Sequence, residues 1–150
     1  MMLDALNQFS AAQAVTATAV STNTIDLSVV RDMAPGTPLY AVFGVDVAAT
    51  AAGAATVTFE IISSAAADLS SPDVLASTGP IPKADLTVGR KPIGLALNPA
   101  NLLATPNGRR YLGVRYTVAT GPLTAGSFTA YMSLTFPPGM EYYASGFSVV

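Results

Sequence analysis

Residues Arg110–Phe136 read RYLGVRYTVATGPLTAGSFTAYMSLTF, two apolar runs of period two around a central turn. Leu112, Val114, Tyr116 and Val118 alternate with Gly113, Arg115 and Thr117. Further on, Phe128, Ala130, Met132, Leu134 and Phe136 alternate with Thr129, Tyr131, Ser133 and Thr135. Successive side chains of a strand point to opposite faces, so a period of two predicts one buried face and one wet face. Between the two runs, Thr120-Gly-Pro-Leu-Thr-Ala-Gly126 carries turn formers at both ends. The expectation is two long strands joined as the closing hairpin, with Arg115 pointing to solvent.

The same period recurs upstream. Leu39–Val47 puts Leu39, Ala41, Phe43, Val45 and Val47 on one face, and Tyr40, Val42, Gly44 and Asp46 on the other. A strand apolar on both sides belongs between layers or at an interface. Ala55–Ile62 alternates with Val57, Phe59 and Ile61 inward and Thr56, Thr58 and Glu60 outward. The small-residue turn 48–53 between these runs predicts that they pair as a second hairpin. Ala12–Val20 and Ile25–Leu27 read as shorter strands, and Arg31–Pro38 as a loop broken by two prolines and a glycine. Val74–Pro82 is confined by its prolines to an edge or to a broken strand, and Lys91–Leu97 is a short strand. In the loop Asn98–Gly108, Asn107-Gly108 favours a positive-φ turn. About eight strands separated by turn signals make an all-β sandwich, and a jelly roll and an immunoglobulin-like sandwich fit the spacing equally.

Two ends lie outside this pattern. In residues 1–10, Leu3, Leu6 and Phe9 recur at spacing three, over a length marginal for an isolated helix. They read either as an N-terminal arm or as a terminus folded over a sheet edge. The tail 137–150 opens with Pro137-Pro138-Gly139, which stops the last strand. It then carries Met140, Tyr142, Tyr143 and Phe147 in a segment too short for its own core. They read either as a tail packed back on its own sandwich or as an arm laid on a neighbouring subunit, where these residue types are favoured.

With 150 residues the chain is most simply one domain spanning 1–150. It has no Cys, His or Trp, so disulfides and the common nucleophile–base pairs are excluded, and zinc lacks its preferred ligands. The nine acidic residues are scattered, and no glycine-rich phosphate loop is present. The expectation is therefore no enzyme, no catalytic residue, no metal and no cofactor. A formal net charge of −2 with only 11% charged residues lacks the basic stripe of a nucleic-acid binder. A membrane helix needs about 18 consecutive apolar residues; the best run, Leu39–Ala52, is shorter and contains Asp46. The opening MMLDALNQFS lacks the basic region of a secretory signal. An apolar fraction of 51% then points to a surface that meets a protein partner. The candidate contacts are Arg109 and Arg110 before the decisive stretch, Leu123 at its tip, and Tyr142, Tyr143 and Phe147 in the tail.

Three stretches carry a family resemblance: LDALNQFSAAQAVTATAVSTNTIDL at 3–27, TPLYAVFGVDVAATAAGAATVTFEIIS at 37–63, and RYLGVRYTVATGPLTAGSFTAYMSL at 110–134. In order and over most of the chain, they resemble the jelly-roll capsid cement (decoration) proteins of tailed double-stranded DNA phages. The resemblance implies a jelly-roll β-sandwich on the outside of an icosahedral head. Its partner would be the major capsid protein, whose subunits it clamps against internal DNA pressure. It would be made in the host cytoplasm and end in the virion. Self-association is expected as a homodimer ahead of a trimer, since two-fold dimers are the commonest oligomers. The alternative class is a virion module binding carbohydrate or the host surface, against which stand the absence of Trp and a supply of only six Tyr.

Overall fold

β-Branched and aromatic residues at every second position fit a pleated, half-buried surface, and here they build strands throughout. The computed structural model describes residues 5–28, 38–98 and 110–135. Among these are nine strands: β1 Gln8–Ala14, β2 Ala19–Val20, β3 Ile25–Asp26, β4 Leu39–Thr50, β5 Thr56–Ser64, β6 Asp73–Pro82, β7 Ile93–Leu97, β8 Tyr111–Ala119 and β9 Ala125–Ser133. Short 3-10 turns occupy Ala5–Asn7 and Lys83–Asp85.

The strands form two antiparallel sheets. One has the order β1-β9-β4-β7; the other has β2-β8-β5-β6, with β3 also paired to β8. The pairings nest from the outside in: β1 with β9, β2 and β3 with β8, β4 with β7, β5 with β6. This antiparallel ribbon is rolled so that β4 also meets β9 and β5 also meets β8. That order is a jelly roll, and it decides between the two sandwiches the sequence left open.

Both expected hairpins are corrected. β8 and β9 lie in different sheets, as do β4 and β5. Each is a central strand with both edges already taken, so the connections 120–124 and 51–55 cross between the layers. At the first crossing, Thr120 (φ 63°) and Gly121 (φ 101°) bend the chain out of its sheet in succession. The alternation holds for the central inward sets but not throughout: Tyr131, expected wet, is buried, and Val47, expected inward, is 49% exposed past a register shift at Val45/Val47. Leu112, Val114, Tyr116, Phe128 and Ala130 are fully buried, as are Val57, Phe59 and Ile61. Leu134 departs from it, 62% exposed beyond the end of β9.

The N-terminal arm is also shortened. Gln8–Ser10 already belong to β1, and Phe9 is fully buried in the core, while Leu6 is exposed. Ala12–Val20 is two strands, divided at 15–18 where Val15 turns into the core, and Ala12 (φ 44°) sits at a bulge within β1. The prolines of β6 do lie on an edge strand, as expected. The tail 137–150, the loop 31–37 and the Asn107-Gly108 turn lie outside the described residues.

Four rings from the four central strands meet between the sheets. Phe59 (β5) lies 5.0 Å from Phe43 (β4), 5.8 Å from Tyr116 (β8) and 5.2 Å from Phe128 (β9), the last two edge to face. Tyr116 stacks on Phe128 at 5.6 Å. Its hydroxyl shares a hydrogen bond with Ser10 Oγ on β1, so the one polar tip in the cluster is satisfied. Burial pushes the Tyr116 phenol up to about 12, against the opposing pull of the Ser10 bond.

Candidate partner-binding surfaces

Strand directions assign each connection to one of two ends. The first end holds Ala5–Asn7, the end of β3, the loop 65–72, Arg110 and residues 134–135; the other holds 15–18, 51–55, 83–92 and 120–124. The expected contact residues divide between these ends. Arg110 stands at the first. Leu123 stands at the second, across β8, whose nine residues span roughly 30 Å. Arg109, Tyr142, Tyr143 and Phe147 lie outside the described residues.

Leu123 is corrected as a contact residue. Its side chain is 3% exposed and belongs to the core, and its N–H donates to the Thr16 carbonyl at 2.9 Å. Pro122 before it is exposed, so the loop presents its backbone and buries its apolar side chain. A leucine in a turn carries no local signal of burial; the tertiary fold places it in the core cluster.

Arg110 is exposed but not a free cation. Its Nε and Nη2 donate to the two carboxylate oxygens of Asp26, each at 2.6 Å, and its guanidinium lies 5.1 Å from the Tyr111 ring centre. The partner is set by register, since Asp26 on β3 pairs with Tyr111 on β8. The Arg110 fork, then the Ser28 N–H at 2.8 Å, hold the Asp26 carboxyl down at about 2, against slight desolvation. An acidic partner would have to compete with Asp26 for this fork, which weakens Arg110 as a contact residue. Arg110→Glu is expected to lower the melting temperature slightly by facing two carboxylates, and Asp26→Arg/Arg110→Glu to restore it. A double variant no better than the single would show that the pair contributes nothing. A depressed carboxyl contributes above its unfolded pKa, so this contribution is full above about 3.8 and lost as pH falls towards about 2.

Arg115 is corrected in the same sense. It donates to Glu60 Oε2 at 2.7 Å, and Thr117 Oγ1 donates to the same oxygen at 2.7 Å. Glu60 and Arg115 are directly paired on β5 and β8. Burial would raise the Glu60 carboxyl, but the bonds from Arg115 and Thr117 outweigh it and hold it below its ordinary value. Beside this trio, Gly113 is buried, not wet. Leu69 (φ 57°), from the loop 65–72, lies over it, and a Cβ at 113 would collide with Leu69 Cδ1 and sit 3.1 Å from Ser21 Oγ. On the other sheet, Thr129 Oγ1 accepts from the Ala12 N–H at 2.9 Å and donates to Asp46 at 2.8 Å, tying β1, β9 and β4 across the bulge.

What the structure adds at the first end is apolar. Leu6 (82% exposed) precedes β1 and Leu134 (62%) follows β9, and those strands run antiparallel as neighbours. The spacing of Leu3, Leu6 and Phe9 hinted at a shared face; the structure separates Phe9, which is core, from Leu6, which is surface. Among the described residues no His, Cys, Asp or Glu group of three or more converges on a possible metal position. No helix among them is long and apolar enough to cross a membrane.

A family model described as Bbp16 matches residues 9–132, from Phe9 in β1 to Met132 in β9. No curated protein matches the chain.

Proposed function

The chain belongs to the Bbp16 family, and we propose that it is a capsid cement protein of a tailed double-stranded DNA phage. It binds the outside of the icosahedral head and stabilises contacts between major capsid protein subunits. Its location is the exterior of the virion, after synthesis in the host cytoplasm. It associates with itself as a homodimer. The observation that carries this reading is the cement-protein text at 3–27, 37–63 and 110–134, which falls on β1–β5, β8 and β9. These include all four central strands of a jelly roll, the fold that the resemblance implied.

The architecture suits the role. The four-ring cluster ties both sheets into one rigid body, and the ion pairs Asp26–Arg110 and Glu60–Arg115 brace β8 from both sides. A clamp must transmit load without deforming, and interiors of close-packed rings have low compressibility. A protein that binds the assembled shell and not its separated subunits stabilises the shell by mass action, so modest contacts repeated over many copies suffice. Leu6 and Leu134 place apolar surface at the end of the sandwich away from the tightly tied loops 15–18, 51–55 and 120–124.

The test is cosedimentation of the purified protein with capsids lacking it, followed by heat or low-salt challenge. Saturable binding and longer survival of decorated shells are expected. Shells that neither bind the protein nor gain survival would defeat the reading.

A further inference from the structure

We infer that the edge of β7 that is unpaired among the described residues is the self-association surface, pairing antiparallel with β7 of a second copy to make one continuous eight-stranded sheet. This rests on the self-association proposed above and not on attachment to a shell. An exposed strand edge is a template for another chain unless it is blunted. Of the four edges formed by the described strands, three are blunted. At β1, the bulges and Ala12 break the ladder, and the Phe9 carbonyl already accepts from the Asn23 N–H at 2.8 Å. The β2/β3 edge consists of two two-residue strands. β6 carries Pro80, Pro82 and Gly79 (φ 73°), with two register shifts against β5.

β7 has none of these devices. Ile-Gly-Leu-Ala-Leu holds no charge and no proline, and its five residues pair with β4 in unbroken register from Phe43↔Ile93 to Leu39↔Leu97. Among the described residues, no turn or loop backbone bond beyond the sheet ladder reaches it. Its core-facing Ile93 and Leu95 pack against the core but stay partly exposed, because their own sheet ends there.

A second copy supplies what is missing. With a two-fold axis at Leu95, Leu95 faces its own counterpart and Ile93 faces Leu97 of the copy on the core side. On the outer side, Gly94 faces Ala96, and both are small and exposed in the single chain. Every pairing in the sheet is antiparallel, and this one continues the pattern. An uncharged strand meets itself without like-charge repulsion, and an isologous contact closes at two copies instead of growing into a filament.

The test is the solution mass by sedimentation equilibrium for the full chain, for Ala96→Lys on the β7 edge, and for Ser77→Lys on the β6 edge as control. The expected result is a two-chain mass for the parent and for Ser77→Lys. For Ala96→Lys, the dissociation constant should rise several-fold, because an edge lysine discourages strand addition and the two introduced lysines stand diagonally across the seam on one face, where like charges repel. Circular dichroism checks that the variant folds. Should it not, hydrogen exchange on the parent gives an independent readout, with Ile93–Leu97 amides expected to slow as concentration rises. A monomeric parent would overturn both the inference and the homodimer. A dimer that Ala96→Lys leaves intact, that Ser77→Lys dissociates, or whose β7 amides exchange independently of concentration would overturn the inference alone.

Discussion

Phe59→Ala is expected to destabilise the protein by about 3–5 kcal/mol, the range for removing a buried aromatic ring. Phe59 is fully buried, and it touches one ring of its own sheet and two of the opposite one, Tyr116 in the first case and Phe43 and Phe128 in the second. The cavity would open between the layers, where neither sheet can collapse without moving the other. Total stability of a domain is typically about 5–15 kcal/mol, so the loss is a large share of it. Phe59→Leu fills most of the volume and should lose much less. Urea unfolding, with the two variants compared at one slope, checks both. A loss below about 1 kcal/mol for Phe59→Ala would mean that the ring is not at the centre of the core.

Glu60→Ala is expected to cost about 2–3 kcal/mol at neutral pH. Breaking a fully buried pair costs about 3–5 kcal/mol because the surviving charge is stranded. Here Arg115 keeps 27% of its side chain in solvent, which recovers part of that. Thr117 Oγ1 would lose its acceptor as well. The pH dependence identifies the source. The Glu60 carboxyl is held below its ordinary value of 4.5, so its contribution is complete above that pH and is lost as pH falls through the lower folded value. The gap between parent and Glu60→Ala should therefore be widest near neutrality and narrow in acid. A gap that does not change with pH would assign the loss to packing and not to the ion pair.

Much of the fold was legible along the chain, because side-chain alternation is a local property. The inward sets Val57, Phe59, Ile61 and Leu112, Val114, Tyr116 were visible as period-two runs, and they are the core. Pro80 and Pro82 announced an edge strand, since proline cannot donate to a ladder on both sides, and β6 is an edge. The candidate surface was less legible. Arg110 and Arg115 read as cations on wet positions; their carboxylates stand 84 and 55 residues away in sequence. Leu123 read as an exposed turn tip, and Gly113 as a wet-face residue. Both are buried by the tertiary fold: Leu123 joins the core cluster, and Gly113 lies under Leu69.

The stretch 110–136 carries enough local signal to specify two strands there and the burial of Leu112, Val114, Tyr116, Phe128 and Ala130. It did not determine that they are neighbours. Backbone amides and carbonyls are chemically alike in every strand, so a ladder has no address in local sequence. Which edges meet is decided by how the apolar faces stack. Here that stacking separates β8 from β9, places one in each layer, and brings Tyr116 and Phe128 together across the core instead of side by side in one sheet.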